Sequence, residues 1–259
     1  MRKNALQSVL TVVTVLLMAS CAKEGPNGAT GPAGPGYTGS ISGHIKLYDK
    51  YGSQVLTNMN HILLQLTGNE AITTPNIYAD STTGSYIFTP ILTGSYTLVA
   101  SDTSLAGVYA ATAFNNFSFV SGTLDMDVRL SARPDSFINT FAAFLNLGSS
   151  DDSLVISVTP DTRPRRCILF VSNSPYVNNI TANYILKYIV PVPANATTIA
   201  QMVPRQDLND VGYTSGTKIY YAAYSYVVGD VSVYEDQSTG RNVYNAVNTN
   251  AIVDTTYVP

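Results

Sequence analysis

From Ser40 onward the apolar residues of this chain recur at every second position, and that period limits what the chain can build. Leu124-Asp125-Met126-Asp127-Val128-Arg129-Leu130 alternates without a break, the pattern of a strand with one face in a core and one in water. The same period runs through Ile41, Gly43, Ile45 and Leu47 against Ser42, His44, Lys46 and Tyr48, and again through Ile62, Leu64 and Leu66. Composition agrees: only 12% of residues are charged, while tyrosines number 18, and tyrosine and β-branched side chains suit the half-buried faces of strands. The expectation is an all-β chain.

The first twenty residues are of another kind. Arg2 and Lys3 precede an apolar run from about Ala5 to Leu17, and small residues stand at Ala19 and Ser20 before Cys21. This is the layout of a secretory signal. Broken by Thr11 and Thr14, the run falls short of the roughly 20 apolar residues of a membrane span. A plain transmembrane helix and a non-lipidated signal are the competing readings, and the second leaves Cys21 without a role. Leu16-Leu17-Met18-Ala19-Ser20-Cys21 resembles a bacterial lipobox. That resemblance implies cleavage before Cys21 and lipid on Cys21, where several acyl chains at about 0.8 kcal/mol per buried methylene give a stable anchor. Loss of Arg2 and Lys3 with the signal moves the net charge from -3 to -5. No basic field for nucleic acid exists. With Cys21 lipidated only Cys167 is left, so no intramolecular disulfide is available.

Residues 21–38 place glycine at every third position from Gly25 to Gly34 with Pro26, Pro32 and Pro35. About four triplets are too few to hold a collagen-like triple helix. A spacer is the alternative: some eighteen residues in an extended state at about 3.1 Å each reach roughly 50 Å.

The next segment, 39–132, carries a family likeness. Asp80-Ser81-Thr82-Thr83-Gly84-Ser85-Tyr86-Ile87-Phe88 and Leu92-Thr93-Gly94-Ser95-Tyr96-Thr97-Leu98 each set a glycine two residues before a tyrosine that opens an alternating run. Glycine there can take the positive φ of a turn, and Tyr86, Phe88, Tyr96 and Leu98 fall on core faces. These spacings resemble the carboxypeptidase regulatory-like domain, which implies a small transthyretin-like β-sandwich. Ser131-Ala132-Arg133-Pro134-Asp135 breaks the alternation and marks a boundary.

A second β-domain is expected over 135–259. Its strands are Phe137 to Leu145, Leu154 to Val158, Cys167 to Val171, Tyr184 to Ile189, Thr197 to Met202, Lys218 to Val227 and Val231 to Tyr234, a sandwich count. Gly216-Thr217-Lys218-Ile219-Tyr220-Tyr221-Ala222-Ala223-Tyr224 resembles the penultimate strand of fibronectin type III modules. The likeness implies that Tyr220 or Tyr221 bonds back to the preceding loop, although the chain has no tryptophan, which such modules commonly bury.

Chemistry is sparse. His44 and His61 are the two histidines, short of the three ligands plus open water position of a zinc hydrolase. They fit solvated faces or, as neighbours, a metal pair. No serine, nor Cys167, carries a nucleophile motif. Asp125/Asp127, Asp151/Asp152, Asp207/Asp210 and Glu235/Asp236 match no calcium loop; the first pair reads as surface charge with Arg129 and the others as turn residues. Arg163-Pro164-Arg165-Arg166 is a basic loop, either a contact for an anionic partner or an exposed hairpin tip. Tyr220, Tyr221, Tyr224 and Tyr226 are candidate ligand-binding residues, with Tyr221 opposite the other three, so that the two faces cannot both be core; tyrosine suits sugar or protein contacts. Asp80-Ser81-Thr82, Asp152-Ser153-Leu154 and Asp254-Thr255-Thr256 resemble the O-glycosylation tripeptides of Bacteroidota, whose surface lipoproteins this layout resembles. The expected function is a non-enzymatic lipoprotein of the bacterial outer membrane, periplasmic or surface-exposed. It binds a protein or glycan and needs no cofactor, metal or catalytic residue. The alternative is an accessory subunit of an uptake or secretion complex, with a hydrolase third.

Overall fold

A computed structural model describes residues 36, 38–68, 75–144, 151–179, 183–229, 233–236, 239–248 and 251–258. The signal, Cys21 and nearly all of the Gly/Pro segment lie outside the described residues. Strand β1 (Thr38–Tyr48) buries Ile41, Gly43, Ile45 and Leu47 and turns Ser42, His44, Lys46 and Tyr48 outward or to partial exposure, as its alternation predicts. It is the hub of the first sheet. β2 (Gln54–Val55) and β5 (Ser85–Leu92) pair with it antiparallel, while β8 (Gly122–Asp125) and β9 (Val128–Ser131) pair with it in parallel.

The alternating run 124–130 is therefore two strands, interrupted where Met126 N donates to Ser42 O at 2.7 Å and Met126 O accepts from the Tyr86 hydroxyl. The facing sheet runs β4 (Asn76–Tyr78), β3 (Ile62–Gly68), β6 (Gly94–Asp102) and β7 (Thr112–Phe119). Between the two lies a core that includes Leu64, Tyr86, Phe88, Tyr96, Leu98 and Val128. Gly84 takes the left-handed conformation foreseen for it, at φ 69°. The Asp80 carboxylate shapes that turn by accepting from the Thr82 and Thr83 amides at 3.0 and 2.7 Å. Gly94 does not need φ > 0, because it lies inside β6.

The second half forms a three-stranded sheet facing a four-stranded one. The first contains β10 (Ile138–Phe144), β11 (Asp151–Val158) and β14 (Thr198–Pro204). The second runs β13 (Leu186–Val192), β12 (Arg165–Ser172), β15 (Lys218–Tyr226) and β18 (Ile252–Tyr257). One short helix, α1 (Arg205–Asp210), joins β14 to β15 and buries Leu208. The described residues are all-β, apart from that turn of helix.

Two strand expectations need correction. Among the described residues, the run near Val231 to Tyr234 supplies no sandwich strand. Its described end is β16 (Val233–Asp236), which pairs with β17 (Arg241–Tyr244) as a separate hairpin. The seventh sandwich strand is β18, which sequence reading omits because Asp254, Thr255 and Thr256 interrupt its apolar pattern. The turn reading of the acidic pairs also needs correction: Asp151 and Asp152 lie inside β11, Asp207 and Asp210 in α1, and Glu235 and Asp236 in β16, and Asp152 is 1% exposed with its Oδ2 accepting from the Tyr221 hydroxyl at 2.9 Å. Tyr221 thus bonds to a facing strand and not to the loop before it.

The β12–β15 sheet is buried on both faces. Cys167, Leu169, Val171, Ile219, Tyr221 and Ala223 enter the core between the two sheets. Ile168, Phe170, Ala222, Tyr224 and Tyr226 enter another cluster, with Val177, Tyr184, Tyr244 and Ala110 of the first sandwich. The β16–β17 hairpin accompanies it, lying beside β7 with the Asn115 amide donating to Glu235 O. An edge strand covered in this way is not free to template pairing with another chain. Gly52 meets the second sandwich so closely that an added Cβ would stand 2.7 Å from Val228 O, and its φ is 82°. Residues 37 to 259 consequently form one compact unit.

Candidate functional site

The linker from Arg133 to Ser136 leaves the first sandwich under firm hold. Ala132 N donates to Tyr48 O at 2.8 Å and Arg133 N to Val108 O at 2.9 Å. Two recesses open beside it, the first walled by both sandwiches and the second by Arg133 of the linker together with the second sandwich. Tyr226 lines one, and Tyr224, two residues earlier on the same face of β15, lines the other.

The first recess, about 270 Å³, has Tyr51, Pro134, Phe137, Asp161, Arg165 and Tyr226 in its walls, with Lys50 and Asp135 beside them. Its charges are internally matched. Lys50 forms an ion pair with Asp135, a hydrogen bond that holds the Lys50 ammonium above its ordinary pKa. The Tyr51 hydroxyl donates to Asp161 Oδ2 at 2.7 Å and the Arg163 amide donates to Oδ1 at 3.0 Å. Tyr51 is the larger of these two causes that keep the Asp161 carboxyl below its usual range. The Arg163 guanidinium stands 3.2 Å from the Tyr51 ring centroid and 3.9 Å from Asp49 Oδ2. Arg165 covers the Phe137 ring at 3.9 Å and donates to Thr159 O. The Arg163–Arg166 loop has therefore found anionic and aromatic partners within its own chain. This recess acts as a clasp between sandwiches.

The second recess, about 250 Å³, is lined by Arg133, Asn179, Tyr224, Asn245, Val247 and Asn248. No carboxylate appears in this set. Asn179 Nδ2 donates to Tyr244 O at 3.2 Å, Asn245 Nδ2 to Ala111 O at 3.1 Å, and Asn248 Oδ1 accepts from Ser225 N at 2.7 Å. Each amide is thus oriented by backbone. Burial, the larger influence, raises the pKa of the Tyr224 hydroxyl against the nearby Asn179 backbone amide, which lowers it.

The four candidate tyrosines separate accordingly. Tyr220 is half-buried on β15 with the Lys218 ammonium 5.1 Å from its ring, and Tyr221 is fully buried. Tyr224 and Tyr226 are 5% and 1% exposed, so what they contribute to the recesses is an edge and not a flat platform. The expectation of an exposed tyrosine face is corrected, since other layers cover both sides of the strand. His44 lies on β1 and His61 precedes β3, in different sheets. His44 Nδ1 is 3.8 Å from Asp127, whose carboxylate also takes Lys46 at 2.5 Å. His61 stacks on Tyr109 at 6.3 Å and lies 3.9 Å from Asp102. Among the described residues no three His, Cys, Asp or Glu side chains converge as a metal site. Burial pushes the Cys167 thiol up to about 12, a value that leaves little thiolate. Sequence reading places Arg133 only in the domain boundary and passes over Asn245 and Asn248, because amides at strand ends carry no period or motif.

Fold and recesses together define a two-sandwich all-β protein with polar recesses between its halves. No family profile matches the sequence, and no curated protein matches it. Among solved structures, the chain is similar to a candidate carbohydrate-binding protein from Bacteroides uniformis, at 16% identity and a TM-score of 0.30, covering 85% of this chain and 100% of that one. A DUF3823 family protein from Parabacteroides merdae follows at 12% identity and 0.27, over 82% and 98% of the two chains. A two-domain fibronectin type III segment of chicken tenascin gives 11% and 0.23, over 78% and 87%. With scores this low, the fold assignment rests on the strand order itself.

Proposed function

We propose that the chain is a non-enzymatic, lipid-anchored protein of the bacterial cell envelope whose two-sandwich body binds a protein or glycan ligand. One observation carries the binding part of this reading: one recess is walled by both sandwiches and the other by the linker's Arg133 with the second sandwich, and their amides and aromatic edges are fixed by backbone and core. Preorganised polar groups of this kind suit recognition, since little ordering remains to be done when a ligand arrives. Convergence on a nucleophile and base would favour an enzyme instead; the described recesses combine amides, tyrosine and matched ion pairs. The anchoring part rests on the lipobox-like Leu16 to Cys21.

The test of anchoring is Cys21→Ala in the native host, followed by membrane fractionation and protease shaving of intact cells, with a periplasmic protein as breakage control. Release from membranes or accumulation of an unprocessed precursor is the expected outcome. Unchanged processing and fractionation would overturn the lipid anchor. Shaving then separates outward display from an inward-facing role.

A further inference from the structure

We propose that the amide-lined recess at the head of the linker binds one saccharide unit bearing a carboxylate, a ring of the uronic-acid type. The inference deepens the binding reading above and rests on it, while standing apart from the anchor. Size comes first. At about 250 Å³ the recess falls just under the roughly 300–1,000 Å³ of sites that enclose drug-sized ligands, so it admits one ring and not a folded oligosaccharide.

Chemistry narrows the class. Asn179 and Asn245 each commit their amino end to a backbone carbonyl, at 3.2 and 3.1 Å, which leaves two amide carbonyls as acceptors for ligand hydroxyls. The Tyr224 hydroxyl, which also lines the recess, adds a group that can donate as well as accept. A ring that carries several hydroxyls supplies both donors and acceptors to this set. Charge then selects among such rings. Arg133 is exposed and is the charged residue of the lining; among the described residues it enters none of the ion pairs formed. A planar guanidinium suits bidentate capture of a carboxylate. The net charge, -3 for the whole chain and -5 once Arg2 and Lys3 leave with the signal, does not oppose this strongly, because at about 0.15 M salt charges beyond roughly 8 Å are screened. The neighbouring recess has the opposite character: its Lys50 and Arg165 share their walls with Asp135 and Asp161.

The experiment uses the full chain in detergent micelles and two probes, methyl β-D-glucuronide and methyl β-D-glucoside, titrated by saturation-transfer NMR. Saturable glucuronide binding, at least about fivefold tighter than glucoside, is expected. Arg133→Gln should weaken the glucuronide about tenfold and erase the preference, as the loss of one charge-assisted hydrogen-bonded contact implies. Tyr224→Phe keeps the buried ring and should weaken both probes roughly fivefold. Equal or better binding of the glucoside, no saturable binding of either probe, or binding that neither variant changes would each overturn the proposal. Fractionation of Cys21→Ala does not depend on sugar, so a failed anchor and a failed site remain distinguishable.

Discussion

Strand β15 has two faces, and different parts of the chain bury them. Ile219, Tyr221 and Ala223 point into the core of their own sandwich, a face that would exist without the first sandwich. Ala222, Tyr224 and Tyr226 point into a cluster with Phe170, Tyr184, Tyr244 and Ala110. That second face exists only because strand-end segments, a hairpin and the first sandwich close over it. Sheets in the first sandwich are simpler, with outward residues such as Ile87 left 55% exposed. The difference assigns the recesses to the second face, where two halves of the chain meet.

The largest test of this contrast is Phe170→Ala. Its ring centroid lies 4.8 Å from Tyr184, 5.7 Å from Tyr224 and 5.8 Å from Tyr244, and its loss should cost about 3–5 kcal/mol in urea unfolding, as in other packed cores. A cost below about 1 kcal/mol would mean that the second face is loosely covered.

The first face has its own probe in Tyr221 and Asp152. Asp152→Val leaves a buried tyrosine hydroxyl without its acceptor and should cost about 1–3 kcal/mol, whereas adding Tyr221→Phe should return most of it. A double variant as damaged as the single one would contradict the pairing. Burial, the largest influence, raises the Asp152 carboxyl above its ordinary value, against the Tyr221 bond and Arg205, which lower it, while Asp151 adds to the rise. The folded chain therefore keeps this proton to higher pH than the unfolded chain, in which it leaves near 3.9. Its stabilising contribution is complete below about 3.9 and is lost as pH rises through the raised folded value. Stability of the wild type, measured from pH 3.5 upward, should fall over that window relative to the double variant.

The smallest effect belongs to the clasp. Tyr51→Phe removes the hydrogen bond to Asp161 but keeps the ring under Arg163, so about 0.5–1.5 kcal/mol is expected. Thermal unfolding that shifts more than Phe170→Ala does would reverse the ranking of polar clasp and apolar face.

Much of the first sandwich was legible. Alternation in β1 and the Gly84–Tyr86 turn prescribe local structure that tertiary packing leaves intact. The second half was less so, for physical reasons. Cys167 to Val171 is apolar at every position, the mark of a strand buried on both sides, yet alternation alone treats it as any strand. For the same reason the tyrosines on both sides of β15 could all be enclosed. Strand β18 pairs through backbone bonds that its Asp254 and Thr255 do not advertise. The recesses depend on residues as distant as Arg133 and Asn248, brought together by topology alone.

Calorimetry of the full chain in detergent tests most directly whether the two sandwiches are one body, on which the recesses depend. One heat-absorption peak, with calorimetric and van't Hoff enthalpies equal, is the predicted result. Two separable peaks, the first leaving one sandwich folded, would contradict it.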